Sequence, residues 1–181
     1  MLFRSEIFKK KKNIKYSSLT EIEKIKLLNK SMKEKKFFVD KIKIKDKENK
    51  EVWNTFKQIA KTPIECLGAY VISMTSTASD ILSVYFLQMQ AKTKNLLRVV
   101  PLFETLDDLK NANGVMTNLF KLSWYRKMIK SKQEVMIGYS DSSKDAGKLS
   151  ASWHQYKLQE ELRSLARSEE HTSELQSPCN L

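Results

Sequence analysis

With 181 residues, of which 41% are hydrophobic and 30% charged, the chain is long enough to bury one proper core, and it has no apolar run of the length that spans a bilayer. Its two cysteines, Cys66 and Cys179, exclude a disulfide framework and fit a reducing, cytoplasmic setting; the opening Met1-Leu2-Phe3-Arg4-Ser5-Glu6 lacks the apolar core of a secretory signal. The net charge of +12 is concentrated at the N-terminal end, where residues 1–50 hold 17 Lys/Arg against 7 Asp/Glu.

That basic segment admits two readings. One is a polyanion-binding module in residues 1–50. The other is a lysine-rich, solvated surface. Only five of the 33 basic residues are arginine (Arg4, Arg98, Arg126, Arg163 and Arg167). Phosphate and base recognition favours arginine's planar fork, so the composition argues against nucleic acid as the main partner.

Residues 1–16 read as basic and featureless, with Lys9-Lys10-Lys11-Lys12 not expected to pack. From Ser18 the apolar residues Leu19, Ile22, Ile25 and Leu28 fall at helical spacing, with Ser17 or Ser18 as N-cap. Residues 38–50 alternate but are too charged for a central strand, and read as a connecting loop. A second helix places Val52, Phe56, Ile59 and Ala60 on one face and stops near Pro63. The first 61 residues thus form a basic, mostly helical segment.

From Gly68 the rhythm changes. Ala69 to Met74 reads as a strand, and Ser79-Asp80 open a helix with Ile81, Leu82, Val84, Tyr85, Leu87 and Met89 as its apolar positions. Leu97 to Glu104 is a second strand. Thr105 and Asp108 resemble a capping box with the shorter acid. The helix they open carries Leu106, Leu109, Val115, Met116, Leu119 and Phe120, with Gly114 a candidate break. A short helix around Trp124-Tyr125-Arg126 leads to a third strand, Val135 to Tyr139. The last helix, Leu149 to Ala166, is expected to bury Trp153, Tyr156, Leu158, Leu162 and Leu165. Strands alternating with helices every 30–40 residues or so predict consecutive βα units and a parallel sheet, open or closed into a barrel. With four glycines in all, the chain has no Gly-rich phosphate loop.

From Arg167 the helical apolar pattern stops. Residues 167–181 read as a non-native tail resembling a translated sequencing adapter, so His171 and Cys179 are not taken as ligands or as a catalytic pair.

Two acids occupy equivalent places: Glu104 ends the second strand and Asp141 follows the third. In a βα architecture both belong to the rim where active sites are built. Paired carboxylates suit Mg²⁺ or Mn²⁺, which take oxygen ligands, although each acid could instead serve the dipole of the helix that follows. Lys144, in the turn after Asp141, offers three donors to an anionic substrate or remains a surface lysine. His154, mid-helix beside Trp153, reads as a packing or surface residue rather than a base.

Four stretches in order are similar to the phosphoenolpyruvate carboxylase family. They are Ala69-Tyr70-Val71-Ile72-Ser73-Met74 with Ser79-Asp80; Pro101-Leu102-Phe103-Glu104-Thr105-Leu106-Asp107-Asp108-Leu109; Trp124-Tyr125-Arg126; and Val135-Met136-Ile137-Gly138-Tyr139-Ser140-Asp141-Ser142-Ser143-Lys144-Asp145-Ala146-Gly147, running into Ser150-Ala151-Ser152-Trp153. The last is the most specific, resembling the family's signature around an active-site lysine. The resemblance is firm over residues 62–166 and looser over 17–61, and Ala78 stands where the family often has proline.

The resemblance implies a part of a (βα)₈ TIM-type barrel, about three βα units in residues 62–166, preceded by basic helices. It implies carboxylation of phosphoenolpyruvate by bicarbonate to oxaloacetate and phosphate. Glu104 and Asp141 would bind Mg²⁺ or Mn²⁺, and Lys144 would be the active-site lysine. The full-length protein would be a homotetramer with no membrane partner. The family's catalytic histidine and its Gly- and Arg-rich loop lie outside this sequence, so the 181-residue polypeptide alone is expected to be inactive.

Overall fold

The computed structural model describes residues 2–34, 36–130, 132–139, 144 and 147–168. The chain divides into two compact units: Met1–Gly68 with Ser79–Leu97, and Ala69–Ala78 with Arg98–Leu181.

The first unit begins with α1 (Leu2–Lys12). This corrects the expectation of a featureless arm. Phe3, Ile7 and Phe8 are buried, one helical turn apart or adjacent, while Lys9 and Lys10 on the other side stay exposed. The Phe8 ring stacks on Tyr16 at 5.4 Å and on Phe86 at 5.5 Å, and Phe3 meets Trp53 at 6.1 Å. Lys9 and Lys10 therefore decorate a packed helix.

A 3₁₀ turn at Tyr16–Ser18 precedes α2 (Glu21–Lys33). Its N-cap is Thr20, not the expected Ser17 or Ser18: Thr20 Oγ1 accepts from the Glu23 amide at 3.3 Å, and Glu23 accepts from the Thr20 amide at 2.7 Å. The expected loop over 38–50 is shorter than its charge suggested. It holds a 3₁₀ turn at Val39–Lys41, and Asp46 caps α3 (Lys47–Lys61) by accepting from the Asn49 amide at 2.8 Å. After a 3₁₀ turn at Ile64–Cys66, the unit is completed by α4 (Ala78–Gln90), all but its first residue.

Two buried glutamines secure that helix's C-terminal half. Gln88 accepts from the Leu97 amide at 2.7 Å and donates to the Leu97 carbonyl at 3.2 Å. Gln90 accepts from the Phe38 amide at 2.9 Å and donates to the Lys36 carbonyl at 2.8 Å. Their amides thus satisfy loop backbone that no ladder reaches.

The second unit holds a three-stranded parallel sheet in the order β1-β2-β3. β1 (Ala69–Ile72) pairs with β2 (Arg98–Phe103), Ala69 opposite Arg98 and Ile72 opposite Pro101; β2 pairs with β3 (Met136–Ile137), Leu102 opposite Met136 and Phe103 opposite Ile137. β1 stops two residues before the predicted end, and Met74 has φ of 53°, a left-handed value no strand continues through. β2 is buried on both faces through Val99, Val100 and Phe103, as parallel strands are.

Behind β2 runs α5 (Leu106–Phe120), unbroken at Gly114, then α6 (Ser123–Met128) and finally α7 (Lys148–Ser168). α7 corrects two expectations. It continues through Arg167 and Ser168, and Trp153 and Tyr156 are 61% and 58% exposed. Its inward stripe is Ala151, Leu158, Leu162 and Ala166, a period-3.6 pattern whose small members carry no strong hydrophobic signal. Together the strands and helices give a mixed α/β fold with a small parallel sheet.

Candidate active site at the strand ends

Parallel strands deliver side chains to one rim where each ends. β2 ends at Phe103, and Glu104 follows it, half-buried, before α5 starts. The α5 N-terminus is already served: Thr105 Oγ1 accepts from the Asp108 amide at 3.1 Å, and Asp108 accepts from the Thr105 amide at 3.1 Å. This is the capping box read from the sequence.

β3 brings a second chain segment beside Glu104. The Gly138 amide donates to the Phe103 carbonyl at 2.8 Å, extending the ladder one step beyond Ile137. That step sets Gly138 opposite Glu104 at unusually close range. A Cβ on Gly138 would lie 2.5 Å from Glu104 Cβ and 3.0 Å from its Cα. No side chain larger than hydrogen fits there without movement. The Gly138 carbonyl in turn accepts from Gln155 Nε2 of α7 at 3.0 Å.

The entry to β3 is held as firmly. Buried Gln133 donates to the Val99 carbonyl at 2.9 Å and accepts from the Tyr125 hydroxyl of α6 at 2.6 Å. Arg98 and Glu134 form an ion pair across β2 and the approach to β3. Only Met136 and Ile137 make the strand, so side-chain amides do what a longer ladder would otherwise do.

Of the sequence-predicted site residues, Glu104 stands at the rim and Lys144 is exposed. Asp141 lies outside the described residues. Among the described residues no group of three or more His, Cys, Asp or Glu side chains gathers as a metal cluster. His154 sits within α7, its Nδ1 2.8 Å from the Ser150 carbonyl, bonded to its own helix. On β1, burial pushes the Tyr70 phenol above its ordinary range. Gln133 and Gln155 were not singled out from sequence, and Tyr125 was named only within a short helix and a resembling stretch. A glutamine's reach to a distant carbonyl leaves no local pattern, whereas Gly138 was visible as the end of an apolar run.

A hard carboxylate at the C-terminal end of a parallel strand, beside a second strand end made close by glycine, defines an α/β protein built of βα units with a carboxylate, Glu104, at a strand end. The donor chemistry fits an oxygen-preferring divalent ion. The chain belongs to the phosphoenolpyruvate carboxylase family, whose profile matches residues 4–175 and so reaches into the segment read as a foreign tail. It is 53% identical over 123 residues to phosphoenolpyruvate carboxylase 1 of Flaveria trinervia and 54% identical over 123 residues to phosphoenolpyruvate carboxylase 3 of Arabidopsis thaliana, in each case across 68% of this chain and 13% of that protein. It is 56% identical over 119 residues to the phosphoenolpyruvate carboxylase of Acinetobacter baylyi, across 66% of this chain and 13% of that protein. The chain thus spans about an eighth of the length of these relatives.

Proposed function

We propose that this chain carries one part of a phosphoenolpyruvate carboxylase active site, the rim of about three βα units of a (βα)₈ barrel, with Glu104 and Asp141 as the metal-holding carboxylates and Lys144 as the active-site lysine. The observation that carries the reading is Glu104 at the end of β2, set directly beside the end of β3 at Gly138, in a chain matched by the family over most of its length. Mg²⁺ or Mn²⁺ held by the two carboxylates would supply positive charge where a substrate oxygen turns negative. Glu104 contributes a fixed anionic donor, because α5 and β3 hold its backbone from both sides. Lys144, an exposed ammonium with three donors, suits the phosphate or carboxylate of phosphoenolpyruvate.

The test is a chimera. The stretch of the Acinetobacter baylyi carboxylase that matches this chain is replaced by the chain's own residues. Bicarbonate-dependent oxaloacetate formation is expected to survive, and Glu104→Gln, Asp141→Asn and Lys144→Ala should each lower kcat/KM by about a hundredfold or more. An Asp141→Asn or Glu104→Gln chimera as active as its parent would remove the metal assignment. The 181-residue polypeptide alone is expected to form no oxaloacetate, and detectable bicarbonate- and metal-dependent product would overturn that. A polyanion-binding role for residues 1–50 has less support, since the helix bearing the lysine run is anchored through Phe3, Ile7 and Phe8. Salt-sensitive nucleic-acid binding by that segment would revive it.

A further inference from the structure

We propose that Gly138 is a positioning residue for Glu104, and that Gln155 locks it in place; the inference rests on the metal-holding role proposed for Glu104. Neighbouring strands normally run nearly 5 Å apart, and paired side chains have comparable room between their Cβ atoms. Opposite Glu104 that room is missing: a Cβ on Gly138 would stand 2.5 Å from Glu104 Cβ. The ends of β2 and β3 therefore converge just where the ladder stops. Only a residue without a side chain permits it.

Glycine is needed here for space and not for an unusual backbone, because among the described residues Gly147 is the glycine with positive φ. The convergence is held on two further sides. The Gly138 amide is bound to the Phe103 carbonyl at 2.8 Å, the residue just before Glu104. The Gly138 carbonyl takes the Gln155 amide at 3.0 Å, tying the strand end to the middle of the long helix α7. Phe103 is itself fully buried, so the pair cannot drift outward together.

The consequence is local and directional. Glu104 has α5 capped immediately on its C-terminal side and Gly138 pressed against its Cα and Cβ, which fixes where its side chain can start. Asp141 is three residues beyond Gly138. Anything that pushes Gly138 away from Glu104 changes the separation between the end of β3, which Asp141 follows in sequence, and Glu104. A metal ion bound through both would feel that change more than the fold would.

The chimeric carboxylase tests this with two readouts: Mn²⁺ affinity from electron paramagnetic resonance titration, and amide exchange of the peptide covering residues 134–139. Gly138→Ala is expected to weaken Mn²⁺ at least tenfold and to speed exchange at the strand end, with overall melting shifted by only a few degrees. Gln155→Leu removes the lock without crowding Glu104. It should weaken Mn²⁺ several-fold and speed exchange at the same peptide, and it keeps the test alive if the alanine variant does not fold. Mn²⁺ affinity unchanged in both variants, with Glu104→Gln defective, would overturn the positioning role alone. A Glu104→Gln chimera that binds Mn²⁺ like its parent would instead remove the metal reading on which the inference stands.

Discussion

At the scale of single residues, the first unit is organised around a buried arginine. Arg4 donates to Asp80 at 2.6 Å, to the Ser79 carbonyl at 3.0 Å and to Ser83 Oγ at 2.9 Å, and its guanidinium lies 5.5 Å from the Tyr16 ring centre. Beside it, Glu21 accepts from the Ser79 amide at 2.7 Å, so a carboxylate from α2 serves the first turn of α4. Burial pushes the Tyr16 phenol upward, with Arg4 pulling the other way. Removing one member of a buried pair strands the other charge. Arg4→Ala is therefore expected to destabilise by about 3–5 kcal/mol, and Arg4→Met with Asp80→Leu to recover most of it, as read from denaturant unfolding. Glu6 gives a pH-dependent counterpart. Burial raises its carboxyl, but hydrogen bonds from Lys10, Asn49 and the Lys45 amide outweigh this and hold it below the ordinary 4.5. A depressed folded value means the contribution is present above 4.5 and is lost as pH falls through the folded value. Glu6→Gln should lower the melting temperature at neutral pH and flatten its fall in acid, and an acid limb as steep as the parent's would count against Glu6.

At the scale of elements, sequence reading succeeded where apolar periodicity and caps coincide. Thr105 and Asp108 stand where a box is needed, and α5 forms as expected; Thr105→Ala should cost about 1 kcal/mol. The same reading missed α1, because Lys9-Lys10-Lys11-Lys12 outweighs three buried residues in any short window, although Phe3, Ile7 and Phe8 are spaced for a helix. It also placed Trp153 and Tyr156 inside, since bulk suggests burial, yet Ala151 and Ala166 occupy the inward stripe where the helix needs small residues. β3 was legible as a position but not as a length. Its two paired residues rely on Gln133, whose contacts to Val99 and Tyr125 are made at sequence distances no periodicity reports. Gln133→Leu should therefore destabilise by about 1–3 kcal/mol by removing its bonds to the Tyr125 hydroxyl and the Val99 carbonyl, more than Tyr125→Phe, which loses one of them. Of the candidate site, Glu104 was legible because it is the acid that closes an apolar strand just before a helix begins. The crowding at Gly138 was not, because it depends on how far β2 and β3 converge.

At the scale of the whole molecule, the sheet and α7 predict how the isolated polypeptide behaves. β1 and β3 are the outer strands of a three-stranded sheet and each pairs on one side only, among the described residues. Unpaired strand edges template further pairing unless charge or covering prevents it. β1 offers little protection of that kind: its sequence is Ala69-Tyr70-Val71-Ile72, and Val71 is 45% exposed. α7 adds a second adhesive surface, since Leu149, Trp153 and Tyr156 fall at i, i+4 and i+7, are 87%, 61% and 58% exposed, and make one apolar stripe. The net charge of +12 opposes association, but 17 of the basic residues lie in residues 1–50, away in sequence from the sheet and α7. Self-association should therefore rise with salt, which screens the repulsion and leaves apolar contact intact. Sedimentation velocity of the 181-residue chain at low and high salt reads this directly. Val71→Lys should reduce association through the edge, and Trp153→Ser with Tyr156→Ser should reduce it through the helix. If the edge variant alone restores a monomer, strand pairing is the route; if only the helix variant does, apolar docking is, and a chain monomeric at high salt without either change would refute both.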